Sequence, residues 1–201
     1  MDNAGTAGRP TGAGLAGSAV KMGANAVFVL APESIPVQEG VRDMCRAPGC
    51  PAVGKSANCP PHVESVGRFR ARLSDYTECV VFRLDVPPAE LFGAACADWF
   101  IRLHGMAAAL EREAGGLGHT KARGLAGGSC HTFFCAPRDC AALAPGGGCR
   151  YPETTRPPME GMGVNVFELA ALGGWEMHRI TRDTDPGVVP SAMLVGLVLA
   201  G

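Results

Sequence analysis

Nine cysteines occur in this chain of 201 residues, and seven of them fall into two groups. The first group is Cys45, Cys50 and Cys59, with four and then eight residues between consecutive cysteines. The second is Cys130, Cys135, Cys140 and Cys149, and its last three members repeat the same rhythm ninety positions later. The residues between do not align convincingly, so the rhythm says little about ancestry. Its chemistry says more, because several thiolates converging on one point are what a soft metal or a cluster requires. An odd number of cysteines fits poorly with a closed disulfide framework. The expected cofactor is an iron–sulfur cluster, of the 4Fe-4S type, with zinc as the alternative.

The ligand count is uneven. Cys130, Cys135, Cys140 and Cys149 suffice for one four-thiolate site, whereas Cys45, Cys50 and Cys59 fall one short of a second. His62, a borrowed cysteine or a small molecule on an open metal would each complete it, and an open position marks reactive rather than structural metal sites. Alternatively, both groups pool their thiols around one cluster. Cys45 and Cys135 are the two that could be spare thiols beside a site. Cys79 and Cys96 sit in apolar patterns where cysteine is an ordinary small hydrophobe, and both are set aside. Arg150, close behind Cys149, could offset thiolate charge and bind the cofactor. Arg156 and Glu160 stand in the same stretch, where Glu160 reads as a solvated loop charge. Glycines at 49, 54, 146, 147 and 148 allow tight turns, and their amides could donate to cluster sulfur.

The elements that must position these thiols are legible around them. Strands are expected at 26–30, 79–86, 121–126, 175–180 and 191–199, where β-branched and apolar residues cluster. Helices are expected at 63–76, 89–114 and 158–172, where apolar residues recur at threes and fours. The sum is an α/β (α+β) sandwich, a mixed sheet with helices packed on it and two cysteine-rich loops. Residues 1–25, rich in Gly and Ala, are expected to be disordered, and residues 26–201 to form a single metal-binding domain. A formal charge of -1 leaves no basic footprint for nucleic acid or an anionic membrane. The longest apolar run, 192–200, is too short to span a bilayer as a helix. The first residues do not read as a secretory signal, so a reducing cytoplasmic setting is expected.

Several segments together resemble one family. They are Cys50 through Cys59-Pro60-Pro61, Gly128-Ser129-Cys130, Cys140, Cys149-Arg150-Tyr151-Pro152-Glu153, and Arg156-Pro157-Pro158-Met159-Glu160 running into Gly163-Val164-Asn165-Val166. The chain resembles the cysteine-rich predicted metal-binding proteins grouped as domain of unknown function 2284, over roughly residue 26 to the C-terminus. It departs from them at Val53 and Ala57, where they usually carry an aromatic and a tryptophan, and at Pro158 and Asn165. The resemblance implies metal binding, commonly supposed to be iron–sulfur, and no established reaction. The function expected is electron transfer or redox support, which calls for a redox partner protein and leaves the oligomeric state open. The alternatives are a structural zinc module and an enzyme with an open iron near Cys45, Cys50, Cys59 and His62.

Overall fold

The computed structural model describes residues 12–201; residues 1–11 lie outside the described part. Four strands, β1 (Ala26–Leu30), β2 (Glu78–Val86), β3 (Arg123–Leu125) and β4 (Ala192–Ala200), form one sheet in the order β1-β2-β4-β3. Every strand pair is antiparallel, where a mixed sheet was expected. The parallel contribution shrinks to an isolated bridge between Ala126 and Pro158. β2 and β4 are central, and all nine residues of β4 are buried. That two-sided burial explains why β4 reads as a continuous apolar run rather than an alternating one.

The period of two along these strands sorts side chains onto two cores. Cys79 and Val81, with Val195, Leu197 and Leu199, face a core that includes Phe69, Leu73, Met159, Met162 and Leu169. Phe82, Leu84 and Val198 face the other, with Leu103, Met106 and Leu110. Helix α4 (Cys96–Gly116) supplies those three residues at helical spacing. Each such fully buried side chain contributes roughly 1.5–3 kcal/mol. The opposite face is covered by α3 (Val66–Arg72) and α5 (Val166–Leu172), which bring in Phe69 and Leu169. Gly196 sits opposite Phe82 in register, and a β-carbon there would lie 2.5 Å from the Phe82 ring. A glycine in a central strand is thus explained by the aromatic ring lying over it.

Three expectations change. Residues 12–21, expected to be disordered, form helix α1 (Gly12–Lys21). Leu15 and Ala19 are fully buried, and Leu15 packs with Val80, Ala114 and Ala200. One leucine and small neighbours suffice there because small residues let the helix lie close to the sheet. Residues 175–180, expected as a strand, run without regular structure. Trp175 and Met177 pack on one core and Ile180 on the other, and Trp175 meets Phe28 edge-on at 4.8 Å. Apolar alternation there reports two-sided burial without backbone pairing. The helix expected over 158–172 is broken, because a short turn at Glu160–Met162 ends at Gly163 with φ +85°. The α5 helix then starts anew under an Asn165 cap, whose side chain accepts from Glu168 N at 3.3 Å. Asn165→Ala is expected to cost about 1 kcal/mol in urea unfolding, and Asn165→Ser to retain most of that.

Candidate metal centres

The first cysteine group lies between α2 (Glu39–Asp43) and α3. A wide helical turn at Cys45–Gly49 closes with Cys50 N donating to Cys45 O at 2.9 Å. The loop from Cys50 to Cys59 is then pinched by Gly54 N donating to Pro60 O at 2.8 Å. These two closures bring Cys45, Cys50 and Cys59 to one pocket of about 300 Å³. Met44, Val41, Ala52, Val53 and Pro60 make its remaining walls largely apolar. The buried Arg42 ties the floor together by donating to the carbonyls of Val63, Glu64 and Gly161.

The second group follows β3. Ala126 exchanges backbone hydrogen bonds with the segment after Arg156, through Ala126 N to Pro157 O at 3.0 Å and Met159 N to Ala126 O at 2.8 Å. Gly128 then turns the chain with φ +69°. The Phe100 and Phe133 rings, stacked 4.3 Å apart, would meet a β-carbon at Gly128 at about 3 Å. Beyond that turn a second wide helical turn, His131–Cys135, places its cysteines much as the first does. Cys130, Cys135, Cys140 and Cys149 all line one enclosed cavity of about 40 Å³. Ser56, Asn58, His131, Arg150 and Thr155 also line it, with Ala57 and Ala141.

The seven cysteines are therefore divided four and three, not pooled around one cavity, and the two sites adjoin. Ser56, from the first loop, bonds Cys130 Sγ at 3.2 Å, and Asn58 Nδ2 reaches the same sulfur at 3.6 Å. In the reverse direction the Cys59 thiol donates to Ser129 Oγ at 3.2 Å. Cys149 Sγ accepts from Tyr151 N at 3.4 Å and lies 3.5 Å from Thr155 Oγ1. Ser56, Asn58 and Ser129 had no signal in the cysteine spacing, because each bonds a sulfur of the other group; Tyr151 and Thr155 follow Cys149 on the same segment.

Burial dominates the electrostatics. It pushes the Cys59 thiol up to about 11, against the hydrogen bond it shares with Ser129. Cys130 is raised by burial too, against Ser56 and Asn58. Cys45 is raised by burial, with Cys50 and Glu160 adding to the effect. Such thiols favour the neutral form, and a bound cation reverses that preference by drawing the proton off.

The remaining candidates are placed as follows. Arg150 lines the second cavity while its Nη1 donates to Asp139 O at 2.6 Å. Arg156 instead grips Glu111, with Nε and Nη2 at 2.9 and 2.8 Å from its two oxygens. His62 is exposed and pairs with Gly54 O, outside the first pocket. Cys79 is fully buried in β2, and Cys96 opens α4 away from both cysteine pockets. Glu160 is not a solvated loop charge: it lines the first pocket, and burial raises its pKa, against the amides of Glu160 and Gly128.

Among the described residues no three His, Cys, Asp or Glu side chains converge closely enough to hold a single metal ion. A lone zinc draws sulfurs to about 2.3 Å from one point, whereas a cluster is larger and its ligands stand farther apart. Four thiols around one small cavity are a donor set that a soft metal or a cluster takes. No helix of the described residues is long and apolar enough to cross a membrane.

A protein-family model described as predicted metal-binding protein, DUF2284, matches residues 28–200. No curated protein and no solved structure matches the chain.

Proposed function

Because the chain belongs to the predicted metal-binding proteins of the DUF2284 family, we propose that the metal is held as iron–sulfur and that the protein transfers electrons or supports a redox enzyme in the cytoplasm. The observation that carries this reading is the division of seven cysteines into a four-thiol cavity and an adjoining three-thiol pocket. In this reading Cys130, Cys135, Cys140 and Cys149 hold one 4Fe-4S cluster, and Cys45, Cys50 and Cys59 hold a second. The group would supply reversible one-electron chemistry. The chain's own residues tune and shield it. Ser56, Asn58 and the Tyr151 amide direct hydrogen bonds at ligand sulfur, an arrangement that raises reduction potential. Arg150 places a cation on the wall of the four-thiol cavity.

Adjacency supports a relay rather than two isolated centres, since Cys130 is close enough to raise the charge cost of Cys59. The test is metal and acid-labile sulfide content on protein purified without oxygen, with electron paramagnetic resonance before and after reduction. About eight iron and eight sulfide per chain, with a signal appearing on reduction, is the expected result. Zinc without sulfide would overturn the reading and leave a structural zinc module.

A further inference from the structure

The three-thiol pocket needs a fourth donor if it is to hold a cubane cluster by protein ligands alone. His62 is turned to Gly54 O outside the pocket. Cys79 and Cys96 do not line it. Ser129 is engaged with the Cys59 thiol. Met44 lines the pocket beside Cys45, but it is 55% exposed at the lip. Glu160 remains. The backbone bridge from Ala126 to Pro158 lays the Pro158–Met159–Glu160 segment beside Gly128, and Glu160 lines the pocket together with the three cysteines.

Two further features point the same way. The amides of Glu160 and Gly128 favour the charged form of the Glu160 carboxyl. A carboxylate offers about four lone-pair directions, which leaves capacity for a metal. Its charge is also felt at Cys45. Glu160 also lines a broader hollow with Phe92, Phe100, Phe133 and Met177.

We propose that Glu160 is the fourth ligand of the centre held by Cys45, Cys50 and Cys59, giving that centre three thiolates and one carboxylate oxygen. The assignment rests on the iron–sulfur reading above. An oxygen donor is the harder, weaker partner for iron in a sulfur-rich site, so this corner is the one a small exogenous ligand displaces first. No such corner exists in the four-thiol site.

The experiment uses anaerobically reconstituted full-length protein, with iron and sulfide counted, and follows the reduced resonance signal through a cyanide titration. Wild type, Glu160→Gln, Glu160→Cys and Met44→Leu are compared. Glu160→Gln is expected to respond at about tenfold lower cyanide than wild type. Glu160→Cys is expected to abolish the response by supplying a fourth thiolate, and Met44→Leu to titrate as wild type. Two clusters per chain with identical titrations for wild type and Glu160→Gln would overturn Glu160 alone. So would iron and sulfide for one cluster only. Zinc without sulfide would overturn the iron–sulfur reading, and the ligand assignment with it.

Discussion

Replacing Cys149 by alanine is expected to remove about half of the iron and sulfide and leave the protein folded. Cys149 is exposed, lines its cavity, and is hydrogen-bonded at sulfur by the Tyr151 amide with Thr155 Oγ1 beside it. Little packing is lost with it, so any loss of iron reports ligation. The four-thiol cavity has no other described cysteine to offer, since the three on the neighbouring pocket are committed there. Cys96→Ala, which changes a thiol outside both cysteine pockets, is the matched control and should keep its full complement. Iron and sulfide analysis with resonance spectroscopy decides it. Unchanged iron in the Cys149 variant would remove Cys149 from the ligand set.

The second large effect concerns stability rather than metal. Arg156 is about 10% exposed and holds Glu111 through two parallel bonds, while its Nη1 donates to Pro152 O and Thr155 O at 2.9 and 2.7 Å. Its backbone amide donates to His104 Nδ1 at 3.1 Å, and burial lowers the His104 pKa to about 4, so that ring is a neutral acceptor. The pair clamps α4 to the segment that leads into Glu160. Arg156→Ala would leave the Glu111 carboxylate in a mostly buried place without its guanidinium. The expected loss is about 3 kcal/mol, or a fall in Tm on the order of 10 °C. Arg156→Lys should recover only part, because an ammonium cannot make the planar two-bond fork. Thermal unfolding followed by circular dichroism measures the change, and a variant melting like wild type would show the clamp to be dispensable.

How far the sequence alone led depends on the kind of signal. The central strands were legible because β-branched and apolar residues in β2 and β4 leave few alternatives, and α4 because its apolar residues keep the helical period for over twenty positions. Cysteine spacing marked the two cysteine loops, since the gaps from Cys45 to Cys50 and from Cys130 to Cys135 are closed locally by wide turns. What stayed hidden was set by contacts across the chain. Glu160 looked like a surface charge because nothing near it in sequence says that Ala126 will pair beside Pro158. Arg156 showed only its nearness to the second cysteine group, yet Glu111, forty-five positions away on α4, holds it. The α1 helix escaped notice because burial of Leu15 depends on the sheet face waiting for it, not on its own weak pattern.

Ser129 and Cys130 are neighbours on the chain, yet one side chain is bonded to a thiol of the three-cysteine pocket and the other lines the four-cysteine cavity. That single peptide is a party wall. A substitution at either residue shifts both rooms at once, so its effects on the two centres will not add and cannot be apportioned by single variants. Cys45 and Cys149, each lining one chamber alone, are the positions from which the two centres can be studied separately.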